Sequence, residues 1–313
     1  MPMLTGSQLN LFEIRLYLHK NMRIPIISFF IVLAGIATGQ QVPADPNATV
    51  QKAGTGYAFT EGASCDREGN VYFTDQPNDK IYTWNEKEGI RLFKDGAERA
   101  NGTEIDTRGN LIICADLHNS IIEIDLKGKI KPVYNKGFSG KYLNGPNDLW
   151  IDPSGGIYFT DPYYHRDYWE ADHTMQQDVQ GVYYLKSTGE LIRVVSDLKQ
   201  PNGIAGTPDG KFLYVADIAA GKTYRYAILP DGNLGDKTLF ANAGSDGMTL
   251  DEKGNVYLTY GKVQVFDNRG EKLGDIELPE NPSNLCFGGK NHDILFITAR
   301  TSVYTIKMKV KGF

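Results

Sequence analysis

Short apolar runs of four to six residues alternate with turn-forming clusters from Thr60 to the end of the chain. The clearest stretch is LNGPNDLWIDPSGGIYFTDPYY, Leu143 to Tyr164. Leu149, Trp150 and Ile151 make a short apolar strand, closed by Asp152-Pro-Ser-Gly-Gly, a turn built from the residues turns demand. Ile157 to Thr160 follows as a second strand, so the pair predicts a β-hairpin. The phrase recurs. A polar residue precedes the first strand of each copy: Glu61, Asn101, Asn147, Asn202, Asp246 and Asn284. The second strands are NVYFTD, NLIICAD, GIYFTD, FLYVAD, NVYLTY and DILFIT, and a third follows each: KIYTW, SIIEID, GVYYL, KTYRYAI, VQVFD and SVYTIKM.

These anchors recur roughly every 40–55 residues, the period of a propeller blade of three or four short strands. The pattern predicts an all-β fold, a six-bladed β-propeller. The last copy has three strands before Phe313, and ATVQK, Ala48–Lys52, precedes Glu61 as IRLFK precedes Asn101. Ala48–Lys52 is therefore expected as the outer strand of the last blade, paired beside Ser302–Lys307, so that an N-terminal strand closes the ring and hides its edges.

The chain has 313 residues. Met22-Arg23 opens the apolar run IPIISFFIVLAGIATG, which ends in small residues. Residues 1–39 are expected to be a secretory signal with an over-extended start, cleaved after Gly39. Residues 40–313 are then a single propeller domain, exported to a periplasm or secreted, with no membrane attachment after cleavage. An uncleaved membrane anchor is the alternative. A net charge of −5 and a pI near 5.6 exclude a general nucleic-acid surface. The expected partner is a small molecule, and the protein a monomer or small homo-oligomer. Cys65, Cys114 and Cys286 make no disulfide scaffold and no zinc spacing. The sequon at Asn101 falls on an anchor, where a sugar would conflict with the fold.

First strands line a propeller's channel, so the six anchors face one another at one level. Two carboxylates and four amides offer oxygen donors that suit a hard divalent cation, Ca²⁺ first, with Zn²⁺, Mg²⁺ or Mn²⁺ as alternatives. The competing reading makes them structural corners, since Asn, Asp and Gly satisfy local backbone at strand entrances. Asp75, Asp116, Asp161 and Asp217, which end second strands, are assigned to structure unless one lines the pocket. The longest interval holds an aromatic loop, Pro162 to Gln180, with Tyr163, Tyr164, His165, Tyr168, Trp169 and His173. It is expected to be a lid with substrate-binding Tyr163, Tyr164 and His165. His118 is a further candidate to reach the mouth and bind substrate, with a satisfied loop histidine as the competing reading.

The phrases NGPNDLWIDPSGGIYFTDPYY, GVYYL, PNGIAGTPDGKFLYVAD, SDGMTLDEKGNVYLT and LFITARTSVYTI resemble the gluconolactonase / senescence-marker-protein (regucalcin) family of six-bladed, metal-dependent hydrolases. The resemblance covers about Tyr57 to Lys307. It implies that Glu61, Asn147, Asn202 and Asp246 ligate the catalytic cation and that Asn101 contacts substrate. The implied activity is a lactonase opening a sugar-derived lactone. The cation would polarise the carbonyl while Asp246 acts as general base, or as nucleophile in the alternative. A phosphotriesterase-like hydrolase on the same metal, or a non-catalytic secreted binding propeller, are the other readings. The lid matches no substrate-specific pattern.

Overall fold

The predicted hairpins stack side by side around a ring. The computed structural model describes residues 41–170 and 174–313. The expected signal segment 1–39, and His173 in the lid, lie outside the described residues. Six antiparallel sheets of four strands each are the six blades. Their inner strands are Thr60–Cys65, Ala100–Ile105, Leu149–Ile151, Pro201–Gly206, Met248–Leu250 and Asn284–Gly288. In five blades the strands follow chain order from the channel outward.

The sixth blade closes the ring. Its outer strand is Gln51–Thr55, antiparallel to Ser302–Lys307 with Gln51 opposite Thr305. The expected strand Ala48–Lys52 is thus displaced by three residues toward the C-terminus. The cause is packing: Ala48 and Val50 go instead against the apolar core of the last blade, beside Leu285, Ile297 and Tyr304.

Second strands carry the core because both their faces are covered by neighbouring blades. Val71–Asp75, Leu111–Ala115 and Ile157–Asp161 are buried along their whole length. Between the first and last blades Phe73, Trp84, Phe296 and Val303 form one cluster. Truncating a fully buried phenylalanine such as Phe296 to alanine costs about 3–5 kcal/mol. Cys114 and Cys286 are buried in these layers and Cys65 is half-buried; all three are free thiols.

The turns at the far end of the channel use one device. Asp66, Asp106, Asp152 and Asp251 each accept two backbone N–H groups of their own turn through one carboxylate oxygen. At the anchor end, Asp75 accepts the N–H groups of Ala58 and Phe59, Asp161 those of Asn144 and Gly145, and Asp217 those of Lys199 and Gln200. These three carboxylates hold the chain that leads into each blade's inner strand, the structural role expected of them.

Candidate active site at the channel mouth

What brings the anchors together is the residue that follows them. In four blades it is glycine, and each glycine lies against the anchor of the next blade. A Cβ on Gly62 or Gly247 would collide with Asn101 or Asn284, respectively. One on Gly102 would lie 2.6 Å from the Asn147 carbonyl oxygen, and one on Gly203 2.8 Å from that of Asp246. Gly102 N–H donates to that Asn147 carbonyl at 2.8 Å. In blades 1, 2 and 4 the inner strand shifts register across the same glycine. A bulge of this kind bends the strand and re-aims side chains. Here the inner strands meet backbone to backbone, and the polar residue before each glycine is left at a narrow neck.

Glu61, Asn101, Asn147, Asn202 and Asn284 are all buried there, and Asp246 is slightly more open. Asn202 donates from Nδ2 to Asp246 Oδ1 at 2.9 Å and to the Tyr164 hydroxyl at 2.8 Å. Its own Oδ1 is buried and has no hydrogen-bond partner. Glu61 Oε2 accepts the N–H of Gly62 at 2.9 Å. Burial, and then the charge of Asp246, push the Glu61 carboxyl well above the usual carboxylate range, while Gly62 N–H and the Asn284 amide oppose this. Burial pushes Asp246 up to about 6, against the pull of Asn202, Arg300, Glu61 and Arg166. The Glu61 and Asp246 carboxyls act on each other, among the described residues neither forms an ion pair with a cationic side chain, and the Asn202 amide oxygen has no partner.

Those features fit a cation. A divalent ion would allow both carboxyls to ionise and would take the free Asn202 Oδ1. Among the described residues no three His, Cys, Asp or Glu side chains could hold a metal by themselves. A cation held here depends on amide oxygens beside the two carboxylates, a donor set for a hard ion.

The channel below the neck holds two carboxyls that the repeat pattern did not single out. Asp148 occupies the position that is glycine in four other blades. Its oxygens accept the N–H of Leu149 at 3.0 Å and of Ile204, in the next blade, at 3.4 Å. Burial drives it up to about 8 and Glu104 up to about 7. Both line a cavity of about 240 Å³, which Gly312 and Phe313 also line. Asp148 was visible as the one charged residue after an anchor; Glu104 carried no such signal.

The aromatic loop is pinned over the mouth from several sides. Asp116 departs from its three counterparts and holds side chains. It accepts Gln76 Nε2 and the Tyr168 hydroxyl, each at 2.7 Å, and its Oδ2 lies 2.5 Å from Arg166 Nε. The Arg166 guanidinium covers the ring of Tyr164, whose hydroxyl is the one on Asn202. Gln176 and Gln177 donate their backbone N–H groups to Asn144 Oδ1. Tyr164 therefore reaches the anchors. Tyr163 is half-buried and stacks on Trp169, its N–H donating to Gln180. His165 is exposed. His118 lines a separate groove with Tyr142, Tyr168 and Trp169, beside the lid.

The chain matches the family model described as SMP-30/Gluconolactonase/LRE-like region over residues 59–301. It is 28% identical over 298 residues to a gluconolactonase of Zymomonas mobilis, covering 86% of this chain and 83% of that one. It is also 28% identical over 214 residues to the diisopropyl-fluorophosphatase of Loligo vulgaris, covering 63% and 67% respectively. A solved gluconolactonase from Xanthomonas campestris superposes with a TM-score of 0.78 at 26% identity, covering 85% of this chain and 97% of its own. With its six blades and this match over most of its length, the chain belongs to the SMP-30/gluconolactonase/LRE-like family.

Proposed function

We propose that the protein is a lactone hydrolase that opens a sugar-derived lactone. It works with a divalent cation, Ca²⁺ by preference, held by Glu61, Asn147, Asn202 and Asp246. The observation that carries this is the pair of facing buried carboxyls, Glu61 and Asp246, beside the partnerless oxygen of Asn202. The gluconolactonases among the relatives supply the substrate class.

The cation, when bound, supplies Lewis-acid polarisation of the lactone carbonyl. Asp246 takes one proton from the attacking water as the water oxygen bonds to the carbonyl carbon. The ring C–O bond then breaks, and Asp246 returns the proton to the departing ring oxygen, leaving a hydroxy acid. Asn202 fixes the Asp246 carboxylate through Nδ2, and Tyr164 fixes Asn202 in turn. Because both partners accept from that nitrogen, the amide is held with Oδ1 toward the neck. Asn101, next to Glu61, is positioned to contact substrate.

The diisopropyl-fluorophosphatase relative supports a second reading, hydrolysis of a phosphoester on the same donors. A pH-indicator assay over a panel of lactones and phosphotriesters, with and without chelator, tests both. Lactone turnover abolished by chelator and restored by Ca²⁺ is the expected result. Turnover of phosphotriesters alone would favour the second reading. Calcium binding with no hydrolysis of any substrate would make the protein a binding propeller.

A further inference from the structure

Arg300 lies in the turn between Ile294–Ala299 and Ser302–Lys307, at the anchor end of the ring. Its carbonyl accepts the N–H of Thr60 at 2.8 Å, which ties the turn to the residue before Glu61. Its guanidinium lies over the ring of Phe59, 5.3 Å from the centroid. The residue is exposed and has φ +51°, a backbone region uncommon for anything but glycine, asparagine or aspartate. The other arginines at this end are engaged: Arg166 by Asp116, and Arg99 by the carbonyls of Gln76 and Pro77. Among the described residues no carboxylate pairs with Arg300. The Thr60 contact nevertheless sets this turn one residue from Glu61, at the rim of the channel mouth. A stacked guanidinium keeps its donor edge open, and that edge matches an oxyanion two bonds at a time.

We propose that Arg300 is a specificity-determining residue that binds an oxyanion on the substrate, at the end away from the reacting carbonyl. The inference rests on the lactonase reading, and it narrows the substrate to an acidic sugar lactone rather than a neutral one. Electrostatics favour this. Two carboxylates offset a divalent cation, so Arg300 gives the mouth a positive charge on a protein whose net charge is −5.

The test is calorimetric binding of open-chain sugar acids to the Ca²⁺-loaded protein. D-gluconate has a neutral distal end, D-glucarate a carboxylate there, and 6-phosphogluconate a phosphate. At least one of the last two should bind about tenfold tighter than gluconate, well beyond the twofold that glucarate's second carboxylate gives by statistics alone. Arg300→Gln should abolish that preference with Ca²⁺ still bound and Tm unchanged, and Arg300→Lys should keep part of it. The arm that responds identifies the oxyanion. Equal binding of all three acids, or a preference that survives Arg300→Gln, would overturn the inference. Lactone turnover measured beside it reports separately on the lactonase reading, which stands or falls without Arg300.

Discussion

Asp246→Asn in protein stripped of divalent cations should make the fold more stable, although it removes a carboxylate from the centre of the site. The Asp246 carboxyl is pushed from 3.8 to about 6. Above pH 3.8 the folded protein therefore keeps a proton that the unfolded chain releases. Stability must fall as pH rises from about 4 to about 6 and stay low above that. At 1.36 kcal/mol per pH unit the loss is roughly 3 kcal/mol, all of it present at pH 7.5. Asparagine cannot ionise, so the variant escapes this loss, and Glu61 is relieved of a like charge as well. The substitution also weakens the bond from Asn202 Nδ2 by about 1 kcal/mol, because the acceptor becomes neutral. A net gain of about 2 kcal/mol remains, which raises Tm by about 5 °C in a domain of this size. Calorimetry in EDTA across pH 4–8 measures it. Adding Ca²⁺ should reverse the order, since the wild type gains about 2.7 kcal/mol at a hundred times Kd while the variant gains less. If the wild type in EDTA is flat from pH 4 to 6, or at least as stable as Asp246→Asn at pH 7.5, the carboxyls are not in conflict. The argument for a cation then fails.

Asp246→Asn should also keep measurable Ca²⁺ binding by calorimetry while losing on the order of 10²–10⁴-fold in lactone turnover, the range for a general base; near-normal turnover would remove Asp246 from that role. Asp116→Ala strands Arg166 and frees Tyr168. It should cost about 3 kcal/mol in denaturant unfolding, raise KM, expose residues 162–170 to protease, and leave Ca²⁺ binding measurable. The apolar segment ending at Gly39 predicts a mature N-terminus near Gln40 in an exported protein, and N-terminal sequencing from the native host checks it; intact Met22 in cytosolic material would refute export.

Much of the architecture was legible because each blade solves the same problem. Four of the six hairpins use an aspartate turn at one end, and all six a polar entrance at the other. The repetition of Asp66, Asp106, Asp152 and Asp251 therefore set the register before any contact was known. The closing strand was found but misplaced by three residues, because Ala48 and Val50 are apolar enough for a strand yet pack in the core of the last blade without pairing. The lid was recognisable by its length and aromatic content. Its attachment was not: Asp116 and Arg166 stand in different blades and meet only when blades 2 and 3 stack. Asp116 had the same local sequence context as Asp75, Asp161 and Asp217, so nothing local told the staple from the three backbone caps. Arg300 was hidden for the same reason, since its place above Glu61 follows from the meeting of the first and last blades.

The structural role of the anchors and the ligand role proposed for them rest on the same packing. A glycine after the anchor is required because the next blade's inner strand passes within 2.6 Å of where its Cβ would be, as at Gly102. That close passage makes the neck narrow, and only a narrow neck lets Glu61, Asn202 and Asp246 act on one another from three blades. Replacing the glycines with larger residues would hold the strands apart and would dissolve both the corner and the site. Blades 3 and 6 lack the glycine, with Asp148 and Leu285 in its place, and blade 3 is the informative exception. Asp148 stands there in the glycine's position and reaches across to the Ile204 N–H of blade 4. Its acceptor spans the gap that direct backbone contact closes elsewhere. The carboxyl it leaves in the channel, held largely protonated by burial, adds no further charge beneath the Glu61–Asp246 pair at neutral pH. The glycines after the anchors thus serve packing first, and the proposed donor set of Glu61, Asn147, Asn202 and Asp246 would depend on that same packing.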